Sequence, residues 1–172
     1  DEGVAADGLV IAMDGQTPIR VRYQLNCDAG WRVRTLALAK MGEAGRQIEL
    51  HADGAGHWTD AAHRPIPALD GCLDVDISVT PFTNTLPIRR LGLKPGEATE
   101  IAAVYIAAEE MQVRMMRQRY TCLEVGPDFA RYRYENVASD FTAELTVNIE
   151  GLVIEYPQLW SMVWPTQEQK LC

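Results

Sequence analysis

Apolar and polar residues alternate along the chain in short stretches, and turn residues interrupt them roughly every ten positions. Ile19 to Leu25 is the cleanest case: Ile19, Val21, Tyr23 and Leu25 alternate with Arg20, Arg22 and Gln24. A period of two sends alternate side chains to opposite faces, so this stretch predicts a half-buried strand. The same pattern predicts strands over Leu9 to Met13, Trp31 to Lys40, Gln47 to Asp53, Cys72 to Thr80, Thr99 to Ala107, Val113 to Val125, Phe129 to Val137, Phe141 to Val147 and Leu152 to Tyr156. In Cys72 to Thr80 the two sides are Leu73, Val75, Ile77 and Val79 against Asp74, Asp76 and Ser78. Turns are expected at Asp14-Gly15, Asn26 to Gly30, Gly42 to Gly45 and Gly54 to Gly56. The rhythm is that of a mainly β, antiparallel domain.

Two local details can be predicted further. If Asn148 and Gly151 bracket a two-residue loop, Val147 faces Leu152 and Leu145 faces Ile154. Phe82 to Leu93 resists a strand reading because it holds Pro87 and Gly92. Thr85 is placed to cap a short helix there, with Pro87 in its first turn. Ala107 to Arg119 has helical propensity, including a Glu110–Arg114 pair. The β-prone run from Tyr120 to Leu123 follows without a break and favours strand after Val113.

With 172 residues and 19.2 kDa, a single domain over residues 1–172 is expected. A fold of that length buries about 70% of its unfolded surface and needs no staple. No 18-residue apolar run is present, so no membrane span is expected. Asp1 to Gly8 is small and acidic, without the basic start and apolar core of a signal peptide. The cysteines, at 27, 72, 122 and 172, are far apart and form no CxxC pair, which predicts reduced thiols and a cytoplasmic protein. The net charge of −8 argues against a nucleic-acid partner.

Of the 16 basic residues, 13 are Arg and three are Lys. Eight of these arginines form Arg-x-Arg pairs: Arg20/Arg22, Arg32/Arg34, Arg117/Arg119 and Arg131/Arg133. Strand parity makes each pair a same-face cationic stripe. Side-by-side like charges need carboxylates or an anion among them. By parity, Glu49 and Asp53 share the face of Arg32 and Arg34. A tight turn at Asp14 to Thr17 adds Leu9, Ile11 and Met13 to the arginine face, with Leu36 and Leu38 beside them. Such a face suits a salt-bridged sheet surface, a second packed layer, or an amphiphile with a polar head.

Other chemistry finds less support. His51, His57 and His63 lie near Asp53 and Asp60 but in no metal-ligand spacing, so no metal or cofactor is expected. Ser78, Ser139 and Ser161 sit in no nucleophile elbow, and Gly54-Ala55-Gly56 lacks the setting of a dinucleotide fingerprint. Asp74 and Asp76, with Asp70 nearby, are spaced for acid–base work, against a plain reading as partners of Arg89 or Arg90. Trp58, Trp160 and Trp164 are candidates for stacking on sugars or for packing.

The most distinctive stretch is DGCLDVDISVTPFTNTLPIRRL, from Asp70 to Leu91, where Thr80, Thr83, Asn84 and Thr85 crowd between two prolines and are followed by Arg89 and Arg90. Together with CDAGWRVR from Cys27, ADGAGHW from Ala52, QRYTCLE from Gln118, YRYE from Tyr132, FTAEL from Phe141 and GLVIEYP from Gly151, it resembles the bacterial "putative glycolipid-binding" family over nearly the whole chain. The resemblance implies a spiral β-roll, one long antiparallel sheet curled around a single short helix near Leu86 to Leu93, and association as a homodimer. It also implies that the N-terminal strand is incomplete before Asp1. No catalytic residue carries over from the family.

The expected function is non-catalytic binding of an amphipathic small molecule, a glycolipid by resemblance. The candidate ligand residues are Arg20, Arg22, Arg32, Arg34, Asp74, Asp76, Thr83, Asn84, Arg89, Arg90, Arg117, Arg119, Arg131 and Arg133. The rival readings are a hydrolase-type enzyme using Asp74, Asp76 and Arg89, and a purely structural dimer. The accessibility of the arginine pairs separates them: a cavity favours a ligand, and pairing on the outside favours structure.

Overall fold

The structure, a computed structural model, describes residues 3–14, 17–42 and 46–163. The first five strands are β1 (Val4–Asp14), β2 (Thr17–Cys27), β3 (Val33–Lys40), β4 (Gln47–Ala52) and β5 (Trp58–Asp60), which form one antiparallel sheet in that order. The second sheet contains β6 (Asp74–Ile77), β7 (Ala98–Ala107), β8 (Gln112–Val125), β9 (Phe129–Asn136), β10 (Thr142–Asn148), β11 (Val153–Tyr156) and β12 (Trp160–Ser161). It too follows chain order and is antiparallel except for the parallel pair β6–β7. The fold is mainly β with one short helix, α1 (Thr85–Leu91), and the second sheet curls as in a β-roll. Its ladder breaks once, between β5 and β6, where the Val33 N–H still donates to the Leu73 carbonyl at 3.3 Å.

Alternation decides which face of each strand is buried. Ile19, Val21, Tyr23 and Leu25 of β2 point into the first core, and Leu36, Leu38 and Leu50 meet them there. Each such side chain contributes about 1.5–3 kcal/mol by leaving water. Gly8 on β1 lies opposite Tyr23, and a Cβ there would stand 2.2 Å from the Tyr23 ring, so only glycine admits that ring. The core continues onto Val75 and Ile77 of β6 and Val104 and Ile106 of β7. On the other side of β7, Tyr120, Tyr132, Tyr134, Leu145 and Val147 form a second core.

The helical segment joins the two. A 3-10 turn (Pro81–Asn84) runs directly into α1 and forms a plug. The 3-10 turn packs against both β6 and β11, which lie near opposite ends of the second sheet, so the sheet wraps the plug. Leu86 belongs to the first core and Ile88 to the second. The start of the plug is capped by Thr80, whose hydroxyl accepts from the Phe82 N–H at 3.3 Å. Thr85, expected as the cap, is instead the first residue of α1, and its buried hydroxyl has no hydrogen-bond partner among the described residues. The helix starts one turn earlier than sequence suggests because Pro81 opens the 3-10 turn ahead of it.

Several expectations shift for local reasons. β1 begins at Val4, ahead of Leu9, and β5 and β12 are too short to show a period. Cys72 to Thr80 shrinks to β6, and the acidic side, expected to be polar, is buried: Asp74 has no exposure. A bulge opposite Asn26 and Cys27 makes Arg34 the extra residue in β3. Parity flips there, so Leu36 and Leu38 face the core while Ala37 and Ala39 share the face of Arg22. Arg32 precedes β3, and Asp53 follows β4, so neither keeps the expected stripe. In the β10–β11 hairpin, Val147 faces Val153 rather than Leu152. The loop has three residues, with Gly151 left-handed at φ 79° and a bulge beyond it. Chain before β8 turns through Met111 rather than forming a helix. Leu9, Ile11 and Met13 do lie on the face of Arg20 and Arg22 and are exposed. Gly15, Gly45, Trp164, Lys170 and Cys172 lie outside the described residues.

The plug is tied to β6 by Asp74 and Arg90. The Arg90 guanidinium donates to both Asp74 oxygens, at 3.0 and 2.5 Å, with side-chain exposures of only 1% for Asp74 and 14% for Arg90. Burial pushes the Asp74 carboxyl up, and Arg90 pulls against it. Removing one member leaves the other charge buried alone. Arg90→Ala is therefore expected to lower stability by about 3–5 kcal/mol in urea unfolding. A loss below about 1 kcal/mol, as for a surface pair, would contradict the clamp.

Candidate functional site

The outer face of the second sheet carries two of the arginine pairs, held by carboxylates. Arg117, at 3.1 Å, and Arg119 both donate to Glu100, which stands directly across from Arg119. Arg131 bridges Glu124 at 2.8 Å and Glu144 at 3.7 Å, and Arg133 reaches Glu144 at 3.3 Å. On the first sheet, Arg22 meets Asp7 at 2.7 Å, and Arg34 donates to the Ala52 carbonyl at 3.1 Å and lies 3.8 Å from Asp28. Arg20 and Arg32 are exposed. None of these pairs lies on the buried side of either sheet. A hollow of about 590 Å³ opens beside Arg119 and Arg133, whose guanidinium groups are already engaged by glutamates.

The acidic motif behaves differently. Asp74 and Asp76 project from β6 to the same side, toward the plug. Asp76 accepts from the Gln118 side chain of β8 at 2.5 Å and keeps a little accessible surface on a cavity of about 280 Å³. β7 and β8 bring Tyr105 and Arg114 to its wall, β9 brings Tyr134, and β11 and β12 bring Tyr156 and Trp160. Parity explains the arginine: Arg114, Gln118 and Tyr120 share the inner face of β8, while Arg117 and Arg119 share the outer. The Arg114 guanidinium lies 4.4 Å over the Tyr105 ring, directly across the ladder, and has no ion pair among the described residues. Asn84, at the end of the 3-10 turn, closes the floor, its side-chain oxygen accepting from the Tyr120 hydroxyl at 2.8 Å.

Burial pushes the Asp76 carboxyl up to about 6, with hydrogen bonds from Gln118 and Thr83 pulling it down. Burial also raises the Tyr134 and Tyr156 phenols, and the Asp76 charge adds to both shifts. The cavity thus joins one desolvated acceptor, one cation at the mouth and an aromatic wall. Thr83 is fully buried and does not line the cavity; it accepts from the Ile77 N–H at 3.2 Å and steadies Asp76 from behind. Asp74 and Arg90 are spent on each other, while Arg89 lies at the far end of the plug, over Trp31. Asp74, Asp76 and Arg89 therefore do not converge on one pocket.

The remaining candidates are structural in their contacts. His51 packs 5.1 Å from His63 and sits 3.0 Å from Glu49. Asp53 accepts from the Ala55 and His57 N–H groups and closes its own turn. Trp58 is buried and donates to the Cys72 carbonyl at 2.9 Å. Among the described residues no group of three or more His, Cys, Asp or Glu is placed to hold a metal ion. Burial pushes the Cys27 thiol up to about 12 and Cys72 to about 11, so both stay protonated. Sequence reading missed Tyr105, Arg114, Tyr134, Tyr156 and the cavity role of Trp160. Parity from Gln118 would have separated Arg114 from the outer pairs, but it could not show that β6, β9 and β12 meet it.

Fold and cavity together define a mainly β roll that encloses a helical plug and keeps an aromatic-walled hollow beside a buried acid. The chain belongs to the family described as "Putative glycolipid-binding", which matches residues 1–162. It is similar to the crystal structure of a DUF1089 family protein from Pseudomonas aeruginosa, with 43% identity and a TM-score of 0.83, over 92% of this chain and 86% of that one. No curated protein matches the chain. Among the described residues no helix is long and apolar enough to cross a membrane.

The raised Asp76 carboxyl has a consequence for stability. The folded state holds the proton up to about pH 6, while the unfolded chain releases it near the ordinary 3.8. Stability is therefore full below that ordinary value and falls as pH rises toward 6, by about 3 kcal/mol in all. Asp76→Asn removes this loss. The variant should melt higher than the parent at pH 7.5 and converge with it near pH 4; an offset independent of pH would contradict the assignment.

Proposed function

We propose that the protein is a non-catalytic binder of an amphipathic ligand whose sugar-like headgroup enters the Asp76 cavity. The observation that carries this reading is the pairing of one desolvated carboxylate with an aromatic wall. A carboxylate accepts hydrogen bonds from neighbouring hydroxyls, and ring faces pack on the C–H faces of a sugar. Arg114 and Asn84 add a donor and an amide at the same wall. The volume, about 280 Å³, lies near the lower end of small-molecule pockets, so it suits a single headgroup rather than a whole lipid. Leu159 and Trp160 at the rim are exposed by 56% and 36% and offer apolar surface to the remainder.

Glycoside hydrolysis needs two carboxyl groups flanking the scissile bond. Here Asp76 is the cavity's one carboxylate among the described lining residues, and Asp74 beside it is neutralised by Arg90. The reading assigns ligand contacts to Asp76, Asn84 and Arg114 rather than to the outward arginine pairs. A homodimer is part of the same proposal, supported by the exposed Leu9, Ile11 and Met13 on the edge strand β1, and so is a cytoplasmic location, supported by the free thiols of Cys27, Cys72 and Cys122.

Titration with octyl glucoside, followed by tryptophan fluorescence and with light scattering of the same sample, tests it. The expected result is saturable binding by a two-copy species, weakened roughly tenfold or more by Asp76→Asn or Trp160→Ala and unchanged by Arg133→Gln. Binding unaffected by the cavity variants, or release of free sugar, would overturn the reading; a single-copy mass would overturn the dimer.

A further inference from the structure

At the other end of the plug lies a second hollow, about 340 Å³, within the range that small-molecule sites occupy. It shares no lining residue with the Asp76 cavity. Its apolar walls include Ile88 and Leu93 from the helix end, Phe129 from the start of β9, and Val147 and Ile149 from the β10–β11 hairpin, and Tyr132 of β9 adds a ring with one hydroxyl. Among the described residues no Asp or Glu lines it, although the chain has 24 of them.

Among the described lining residues Arg89 carries the single charge, and its side chain is held at both ends. Its carbons pack on Gly151, where a Cβ would stand 2.8 Å from Cδ of Arg89. Its guanidinium lies 5.2 Å over the Trp31 ring. Arg22, Arg34, Arg64, Arg90, Arg117, Arg119, Arg131 and Arg133 each have a carboxylate within 4 Å, yet Arg89 has no ion pair among the described residues. Asn148 lines the same hollow. The Asn148 side-chain oxygen accepts from the Glu150 and Leu152 N–H groups at 3.1 and 2.9 Å, which fixes the amide. The amide NH₂ is left without a protein acceptor in that loop.

We infer that this hollow binds an aliphatic monocarboxylic acid, with Arg89 and Asn148 donating to the carboxylate and the apolar walls covering the chain. The planar guanidinium matches a carboxylate in two parallel hydrogen bonds, and no carboxylate among the described residues pairs with its charge. Apart from the Tyr132 hydroxyl and the Asn148 amide, the described walls are apolar and offer little to a second charge or to a row of hydroxyls, which separates this ligand from the headgroup assigned to the Asp76 cavity. The exposed Val125 and Ile149 continue the apolar surface beyond the hollow for a longer chain.

Calorimetric titration at pH 8 with octanoate and with octanol, which differ only in the charged end, tests the inference. Octanoate is expected to bind one per chain and octanol at least tenfold more weakly. Arg89→Gln should reduce octanoate to the octanol level, and Arg89→Lys should recover part of the loss. Asp76→Asn should leave octanoate unchanged, so failure of the sugar-headgroup reading is scored separately. Equal binding of octanoate and octanol would overturn the inference. So would insensitivity to Arg89→Gln, loss of octanoate in Asp76→Asn, or binding of anionic vesicles without binding of free octanoate. Arg89 is exposed, and circular dichroism of each variant confirms that the fold is retained.

Discussion

Two carboxylates two residues apart on a buried strand face are the constraint from which the rest of this structure follows. Asp74 and Asp76 both turn toward the inside of the curled sheet, where an unmatched charge costs several kcal/mol. Asp74 is matched by Arg90, which reaches it from the end of the helix and so locks helix to strand. A buried ion pair of this kind adds little net stability compared with apolar packing, but it allows few alternative positions for the plug. Because the 3-10 turn of the plug touches β6 and β11 together, fixing it also fixes how far the sheet curls.

Asp76 receives a weaker match. Gln118 donates a hydrogen bond and Thr83 adds a second interaction, and the carboxyl borders a hollow where Asp74 meets a guanidinium. The fold therefore keeps a carboxyl held up to about 6 where an asparagine would fit at lower cost. Holding an acceptor in a partly dry site strengthens the interaction it makes with a donor that arrives later. Charge is distributed in the same spirit over the whole molecule. The outer arginines lie among Glu100, Glu124 and Glu144 and are neutralised in place, while Arg114 and Arg89, at the two ends of the plug, are paired with aromatic rings instead of acids.

Much of the architecture was legible in the chain. Period-two alternation marked most of the long strands, and Pro87 with Gly92 marked the helix. The resemblance around Asp70 to Leu91 pointed to the family that the match over residues 1–162 shows. The misplacements have local causes. The bulge at Arg34 reversed parity in β3, and the three-residue loop closed by Gly151 moved the β10–β11 register by one. β6 is buried on both faces, so its polar alternation gave no sign of which side met solvent. The arginine pairs were visible as stripes, but sequence could not say which face of a curled sheet is outside. The cavity was least legible, because Asp76, Tyr105, Arg114, Tyr156 and Trp160 come from five strands spread over more than eighty residues of chain.

The central claim is that ligand chemistry belongs to the inner face of the second sheet, at the Asp76 end of the plug. Backbone and side-chain amide shifts of the protein titrated with octyl glucoside test it most directly. The account predicts perturbations centred on Asn84, Tyr105, Tyr134 and the Gln118 amide that holds Asp76, with Arg119, Arg131 and Arg133 unmoved. Perturbations concentrated on those outer arginines, with the inner residues silent, would contradict it.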